Sequence, residues 1–135
     1  MTRVVIDTNV LVSALLTDRG AEASVLDFVA SGQLLWCVSE AVLAEYRLVL
    51  NRPKFRHIDP TKIVAALTLA RKGRLAIVTE TITFSPDDPD NRFLECAEAA
   101  NANFLITGNK RHFPAQWKST KIVNARECLV ELSRT

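Results

Sequence analysis

The sequence has few histidines and cysteines, and its charge is almost balanced. The two histidines and three cysteines are widely spaced, which excludes the clustered ligands of a zinc site, and an odd cysteine count does not suit a disulfide framework. We therefore expect Cys37, Cys96 and Cys128, each beside apolar residues, to be reduced core side chains. A net charge of +2 is too small to indicate a nucleic-acid or membrane partner by global charge.

Long apolar runs and glycine-rich motifs are also missing. No apolar stretch approaches the roughly 20 residues of a membrane-spanning helix, and the N-terminus lacks a secretory pattern, so we expect a cytoplasmic protein without membrane partners. The four glycines form neither a phosphate-binding loop nor a dinucleotide-binding turn, and no Gly-x-Ser-x-Gly elbow occurs. No serine or cysteine nucleophile is arranged around His57 or His112, so we expect both to face solvent or RNA.

What the sequence does contain is a regular alternation of strand and helix patterns. The patterns predict strands at 3–6, 34–38, 75–78, 104–107 and 121–123, and helices at 10–16, 20–30, 40–50, 60–72, 93–100 and from Asn124 onward. With 48% hydrophobic residues in 135, the chain can build one core. We predict a single α/β domain over residues 1–135, a three-layer sandwich with a mainly parallel sheet of four or five strands and helices on both faces.

Two acids occupy positions that suit a ligand site. Asp7 directly follows the first strand, where ligands gather in parallel sheets, and Thr8 or Asn9 can cap the next helix in its place. Glu45 has apolar neighbours one helical turn away on both sides, so its carboxylate needs water or a charged partner. The alternative for Glu45 is a simple ion pair with a nearby arginine, Arg47 or Arg52.

The acidic segment before the fifth predicted helix assigns different roles to its residues. Asp88 followed by Pro89 is a helix-start signal, with Asp88 as the cap and Pro89 in the first helical position. Asp90 and Asn91 then fall in the first turn, pointing toward the strand ends, while Asp87 is left in the loop and is expected to face water.

Together these residues predict an oxygen-rich cation site. Thr107 ends the 104–107 strand and Asn109 follows it, and both offer further oxygens, although an ordinary turn explains them equally well. The predicted set consists of Asp7, Glu45 and Asp90 as metal ligands and Asn109 as a further catalytic residue, with Thr8, Asn9, Asn91 and Thr107 as accessory positions. Such ligands suit Mg²⁺ or Mn²⁺, and these ions indicate phosphate chemistry.

Positive charge is clustered locally in two loops. The predicted RNA-binding residues are Arg52, Lys54, Arg56, Lys110 and Arg111, which follow elements that carry the site residues. Phe55 or Trp117 is available to stack on an unpaired base. Basic loops are also common in proteins that bind no nucleic acid, so this pattern alone leaves both interpretations open.

Four segments, at 4–14, 39–45, 90–97 and 105–109, resemble the motifs of the PIN domain family. The resemblance is strongest to its small single-domain members described as toxins of toxin–antitoxin pairs (VapC-like). It implies a metal-dependent ribonuclease that uses Mg²⁺ or Mn²⁺, an antitoxin partner and a homodimer or higher homo-oligomer. Asp7 and Glu45 match the first two family acids, Asp90 or Asn91 the third, and Asn109 the fourth position.

Two rival functions belong to other classes. A binding module that keeps the fold without efficient catalysis would act through a partner protein or RNA. A phospho-accepting receiver domain would need a second acid beside the first, but Thr8 follows Asp7, and Thr107-Gly108-Asn109 stands where a receiver has a lysine.

Overall fold

The structure is a computed structural model that describes residues 1–134. The strands are β1 Thr2–Ile6, β2 Leu34–Val38, β3 Arg74–Leu75, β4 Phe104–Ile106, β5 Gln116–Trp117 and β6 Thr120–Val123. The helices are α1 Thr8–Leu16, α2 Ala21–Ala30, α3 Glu40–Leu50, α4 Pro60–Arg71, α5 Asp88–Ala100 and α6 Ala125–Ser133. Two short 3₁₀ turns, Pro53–Phe55 and Lys110–His112, follow α3 and β4.

The strands form one sheet in the order β3-β2-β1-β4-β6-β5. Every neighbouring pair is parallel except β5 and β6, which are antiparallel. Helix α2 packs against α1 and α6, helix α3 packs against α4 and α5, and α1 also contacts α3. Both sets include helices that touch the sheet. The predicted α/β sandwich with a mainly parallel sheet is confirmed, with six strands in place of four or five. The chain runs outward from β1 and returns at β4, so the order switches between these two central strands, where open parallel sheets form their binding crevices.

Two strands differ from the prediction. The predicted third strand at 75–78 is only Arg74–Leu75, because the chain leaves the sheet after Ala76 donates its N–H to the Val38 carbonyl. Ile77, expected inside that strand, is 72% exposed. The pattern also missed β5, whose two residues are too short to show a periodicity. Gly73 marks the tight approach before β3, since a Cβ there would lie 2.0 Å from the Trp36 carbonyl oxygen.

Side chains cap three helices. Ser39 accepts a hydrogen bond from the Val42 N–H at 3.1 Å, and Asp59 accepts one from Thr61 at 2.9 Å. Asn124 and Glu127 form a reciprocal capping box at the start of α6. These bonds satisfy N–H groups that have no partner within the helix.

The prediction that Asp88 caps α5 is wrong. Helix α5 begins one residue earlier, with Asp87 at the N-cap and Asp88 as the first helical residue. The Asp87 side chain makes no capping hydrogen bond, because Pro89 has no N–H and the Asp90 N–H already donates to the Asp87 carbonyl. Asp88 instead pairs with Arg92 one turn further along the helix, at 3.3 Å.

The buried core connects α3 to the end of β1. The Tyr46 hydroxyl on α3 donates to the Ile6 carbonyl, and the Trp36 Nε1–H donates to the Tyr46 oxygen at 3.2 Å. All three side chains are fully buried, and the rings of Trp36 and Tyr46 are tilted against each other at 5.8 Å. Because Ile6 precedes Asp7 and Tyr46 follows Glu45, this chain of bonds fixes the two elements that carry those acids.

The cysteines agree with a further expectation. Cys37, Cys96 and Cys128 are free and buried, as predicted. Among residues 1–134, no helix has the length and apolar character required to cross a membrane.

Candidate active site

A cleft of about 470 Å³ opens at the carboxyl end of β1. It is bordered by the first turns of α1 and α5, by α3 and by the 3₁₀ turn that follows α3. Four carboxylates line it, from Asp7, Glu45, Asp87 and Asp90, together with the cations Arg52 and Lys54. The predicted metal ligands Asp7, Glu45 and Asp90 therefore share one cavity, although Asp7 and Asp90 are 83 residues apart in the sequence.

Asp7 is a buried carboxylate held by a threonine. It occupies the N-cap position of α1, but its side chain makes no capping bond; instead its Oδ2 accepts a 2.7 Å hydrogen bond from the Thr107 hydroxyl. Asp7 is only 6% exposed, and this burial, opposed by the Thr107 bond and assisted by the nearby Asp90 charge, raises its pKa to about 6. Thr107, directly after β4, therefore holds the Asp7 side chain in place, and this side chain does not cap α1.

Glu45 faces the cleft from the middle of α3 and is half-buried. Within the described chain its carboxylate forms no hydrogen bond and no ion pair, so the alternative of pairing with Arg47 or Arg52 is not observed. Glu45 therefore presents an uncompensated negative charge to the cavity that contains Asp7.

Asp90 lies in the first turn of α5 and is 8% exposed. Its Oδ2 accepts a hydrogen bond from the Ser85 hydroxyl at 3.2 Å and lies 3.4 Å from His112 Nδ1. Burial and the negative charge of Asp87 raise the Asp90 pKa, while Ser85 and His112 act in the opposite direction. Donor atoms of Asp87, Asp90 and His112 all lie within 4.8 Å of one another.

Asn91, the alternative to Asp90 as the third acidic position, does not face the cleft. Its side chain is 2% exposed and forms a two-way bond with the backbone of Ser85: Oδ1 accepts from the Ser85 N–H at 2.7 Å, and Nδ2 donates to the Ser85 carbonyl at 2.9 Å. An amide provides both an acceptor and a donor, whereas an ionised carboxylate provides only acceptors. Asn91 therefore anchors the loop before α5, and Asp90 lines the cavity.

The residues after β4 lie beside the cleft. The fully buried Thr107 hydroxyl donates to Asp7 and accepts from the Asn109 N–H at 3.0 Å, so it has little freedom to contact a substrate. Asn109 itself lines a smaller depression of about 200 Å³, together with Asn9 and Glu22. Asn9 borders both cavities and accepts a hydrogen bond from the Gly108 N–H through Oδ1.

The basic residues predicted to bind RNA divide into three groups. Arg52 and Lys54 line the cleft, where the Lys54 ammonium lies 5.1 Å from the centre of the Phe55 ring. Lys110 pairs with Glu127 at 2.9 Å and lines a different groove. Arg56 and Arg111 are exposed and border neither of the two acidic cavities.

Trp117, the other stacking candidate, lies away from the cleft. Its ring packs edge-on against Phe84 at 6.0 Å, and its Nε1–H donates to Glu98 at 3.2 Å. Phe55 is therefore the aromatic residue of this pair that borders the carboxylates.

Three contributors were not predicted from sequence. Asp87 is exposed, as expected, yet its carboxylate also lines the cleft. His112 reaches Asp90 because the 3₁₀ turn Lys110–His112 folds back toward α5, and Glu22, in the first turn of α2, lines the depression that contains Asn109. The position of His112 three residues after Asn109 was the available signal, but the sequence does not show where a short turn points.

The fold and the cleft define an α/β protein with an oxygen-rich acidic cavity at the centre of a parallel sheet. The PIN domain family matches residues 3–111, and the chain therefore belongs to this family. PIN domains are typically metal-dependent nucleases that act on RNA. A protein of Methanocaldococcus jannaschii described as uncharacterized, MJ1680, is 31% identical over 112 residues, which cover 80% of this chain and 71% of the relative.

Proposed function

We propose that this protein is an endoribonuclease that requires Mg²⁺ or Mn²⁺ and hydrolyses RNA phosphodiester bonds. The observation that supports the proposal best is the shared cavity of Asp7, Glu45 and Asp90 in a chain of the PIN domain family. Each acid comes from a different element, and each would be costly to keep there without a ligand.

The residues present fit a hard divalent cation. Four carboxylates face two lining cations, so the cleft has an excess of negative charge. Burial is the largest cause of the raised pKa values of Asp7 and Asp90, and the negative charge of a neighbouring carboxylate raises each of them further. A bound cation would favour the charged forms of these carboxylates.

In this proposal Asp7, Glu45 and Asp90 hold the ion. When bound, Mg²⁺ or Mn²⁺ supplies Lewis-acid chemistry, neutralising a phosphoryl oxygen and lowering the pKa of water. Thr107 fixes the Asp7 carboxylate through its 2.7 Å bond, and Asn109 orients the substrate or a water from the adjoining depression. Thr8 and Asn9 assist from the first turn of α1.

Arg52 and Lys54 are placed to bind the RNA backbone at the cleft, with Phe55 beside them for an unpaired base. Arg56, Lys110 and Arg111 would extend this contact outside the cavity. We further propose that the protein acts in the cytoplasm as the toxin of a toxin–antitoxin pair and works as a homodimer or higher homo-oligomer. The support for this role is the similarity of the four motifs to small single-domain PIN toxins.

Cleavage of single-stranded RNA tests the activity. The purified protein should cleave RNA with Mn²⁺ and lose this activity with a chelator, and Asp7→Asn and Asp90→Asn should each abolish it. Asp27→Asn is a matched control on an exposed face of α2. Cleavage that survives Asp7→Asn would contradict the proposal.

Calorimetric titration with Mn²⁺ separates the nuclease from the binding module. Absence of binding at millimolar Mn²⁺ would favour a PIN fold that acts only through a protein partner or by holding RNA. The toxin role predicts a small adjacent antitoxin gene, and growth arrest on expression that co-expression of the neighbouring gene reverses.

A further inference from the structure

We propose that a groove beside α6 binds an extended acidic segment of a partner protein, in which an apolar side chain lies between two carboxylates. This α6 groove has a volume of about 670 Å³ and is lined by α6, by strand β6 and by the chain between the 3₁₀ turn Lys110–His112 and β5. It shares no lining residue with the acidic cleft, so the inference goes beyond the proposed ribonuclease activity and does not rest on it.

The floor of the α6 groove is apolar. It is lined by the buried side chains of Phe113, Ile122 and Val123. Val130 on α6 also lines the groove and is 47% exposed, and Ala115 in the chain before β5 is exposed as well. Because removing apolar surface from water is favourable, the α6 groove can receive an apolar side chain.

The acids of the α6 groove already have partners. Glu127 pairs with Lys110 at 2.9 Å. Glu131, one helical turn further along α6, pairs with Lys121 at 2.9 Å. These two ion pairs balance the charge along one side of α6, because residues four positions apart lie on the same side of a helix.

Two arginines on the neighbouring side of α6 have no such partner. Arg126, Val130 and Arg134 follow one another at intervals of four residues and all line the groove, with the valine in the middle. Both arginines are exposed, and neither guanidinium forms a hydrogen bond or an ion pair with the residues that the structure describes. A complementary partner therefore carries two acids with an apolar side chain between them.

The charges also argue against two other occupants. If two copies of α6 packed antiparallel about a two-fold axis at Val130, Arg126 of each copy would face Arg134 of the other, and like charges repel. An RNA backbone would bring its phosphates close to Glu127 and Glu131 above an apolar floor. An acidic protein segment avoids both conflicts.

The distance between the arginines defines the segment. Arg126 and Arg134 are eight residues apart, which corresponds to about 12 Å along the helix axis. In an extended chain, alternate side chains point to the same side and each residue rises about 3.3 Å, so acids four positions apart span about 13 Å. A helix about 12 Å long and about 10 Å across would fill roughly 900 Å³. This volume exceeds the groove, so an extended acid-x-apolar-x-acid segment fits better.

Fluorescence polarisation of a labelled peptide, Gly-Glu-Ser-Leu-Ser-Glu-Gly with blocked ends, tests the α6 groove in the presence of a chelator. The peptide should bind the protein, and added salt should weaken the binding. Arg126→Ala combined with Arg134→Ala should weaken it about 2- to 25-fold, because each exposed ion pair accounts for about 1.4- to 5-fold. Arg19→Ala combined with Arg71→Ala removes two exposed arginines outside the groove and should leave the affinity unchanged.

The apolar contact is tested with changed peptides. A peptide with serine in place of leucine should bind about tenfold more weakly, because it buries less apolar surface. A peptide with lysine in place of both glutamates should not bind. Equal binding of the acidic and basic peptides, absence of binding at millimolar acidic peptide, or unchanged affinity in the Arg126 and Arg134 variant would overturn the inference.

Further outcomes identify a different occupant. If the Arg126 and Arg134 variant loses affinity for single-stranded RNA but not for the acidic peptide, the groove binds RNA. If the same variant changes the oligomeric state in analytical ultracentrifugation, the groove binds a second copy of the chain. Either result would overturn the acidic partner. Peptide binding without RNA cleavage would support the groove and contradict the nuclease, and RNA cleavage without peptide binding would do the reverse.

Discussion

Replacing Asn91 with aspartate tests whether position 91 belongs to the loop or to the metal site. The native amide donates to the Ser85 carbonyl at 2.9 Å and accepts from the Ser85 N–H at 2.7 Å, both in a buried environment. In Asn91→Asp the first bond loses its donor, and at neutral pH a carboxylate oxygen faces the carbonyl oxygen. If Asn91 stood in for a family acid, the same change would instead improve cation binding.

The expected loss of stability follows from these contacts. Leaving a buried carbonyl unsatisfied costs about 1–3 kcal/mol, and the buried charge adds to this, so Asn91→Asp should lower the free energy of unfolding by about 2–4 kcal/mol at pH 7. With about 3 °C per kcal/mol, the melting temperature should fall by roughly 6–12 °C. At pH 4 the introduced carboxyl is protonated and donates again, so most of the loss should disappear.

Urea denaturation with chelator at pH 7 and pH 4, followed by tryptophan fluorescence, measures both values. Asn51→Asp adds the same charge at an exposed helix end and should cost less than about 1 kcal/mol. The reasoning is refuted if Asn91→Asp is as stable as the wild type and binds Mn²⁺ more tightly, because position 91 would then face the ion.

Three other predictions concern the core and the acids of the cleft. Because the folded-state pKa of Asp7 is about 6 against 3.8, without metal the wild type should lose about 2 kcal/mol relative to Asp7→Asn between pH 4 and pH 7. Equal urea curves across this window would contradict the burial argument. Tyr46→Phe leaves the Ile6 carbonyl and the Trp36 N–H buried without partners and should cost about 2–4 kcal/mol in urea denaturation, a loss under 1 kcal/mol being inconsistent with these bonds. Glu45→Gln should weaken Mn²⁺ binding about tenfold or more by calorimetry. Glu40→Gln, on an exposed turn of α3, should leave Mn²⁺ binding unchanged, and equal effects of the two variants would contradict metal binding by Glu45.

The sequence was sufficient for the features that depend on local patterns. Strand ends, capping residues and the apolar surroundings of Glu45 are read within a few residues, and they predicted the α/β order and the convergence of Asp7, Glu45 and Asp90. The sequence did not show how the chain runs in the loops and short turns between helices and strands. Helix α5 starts one residue before the predicted position, where the Asp90 N–H bonds to the backbone carbonyl of Asp87, and a backbone partner of this kind leaves no signal in the sequence.

The same reasoning explains why the acids of the 87–91 segment differ in role although they are adjacent. On a helix, residues 90 and 91 point about 100° apart, so only one of them can face the cleft. Burial then determines the chemistry of each position. The position bonded to the Ser85 backbone requires both a donor and an acceptor, which the Asn91 amide supplies, and the position facing the cavity keeps a carboxylate whose pKa is raised by burial and by the Asp87 charge. A protein under pressure only for stability would place an apolar or amide group at Asp90 as well. The presence of a carboxylate at Asp90 therefore supports a bound cation in the cleft. In Asp90→Asn the stability should be kept or increased, while Mn²⁺ binding should be lost.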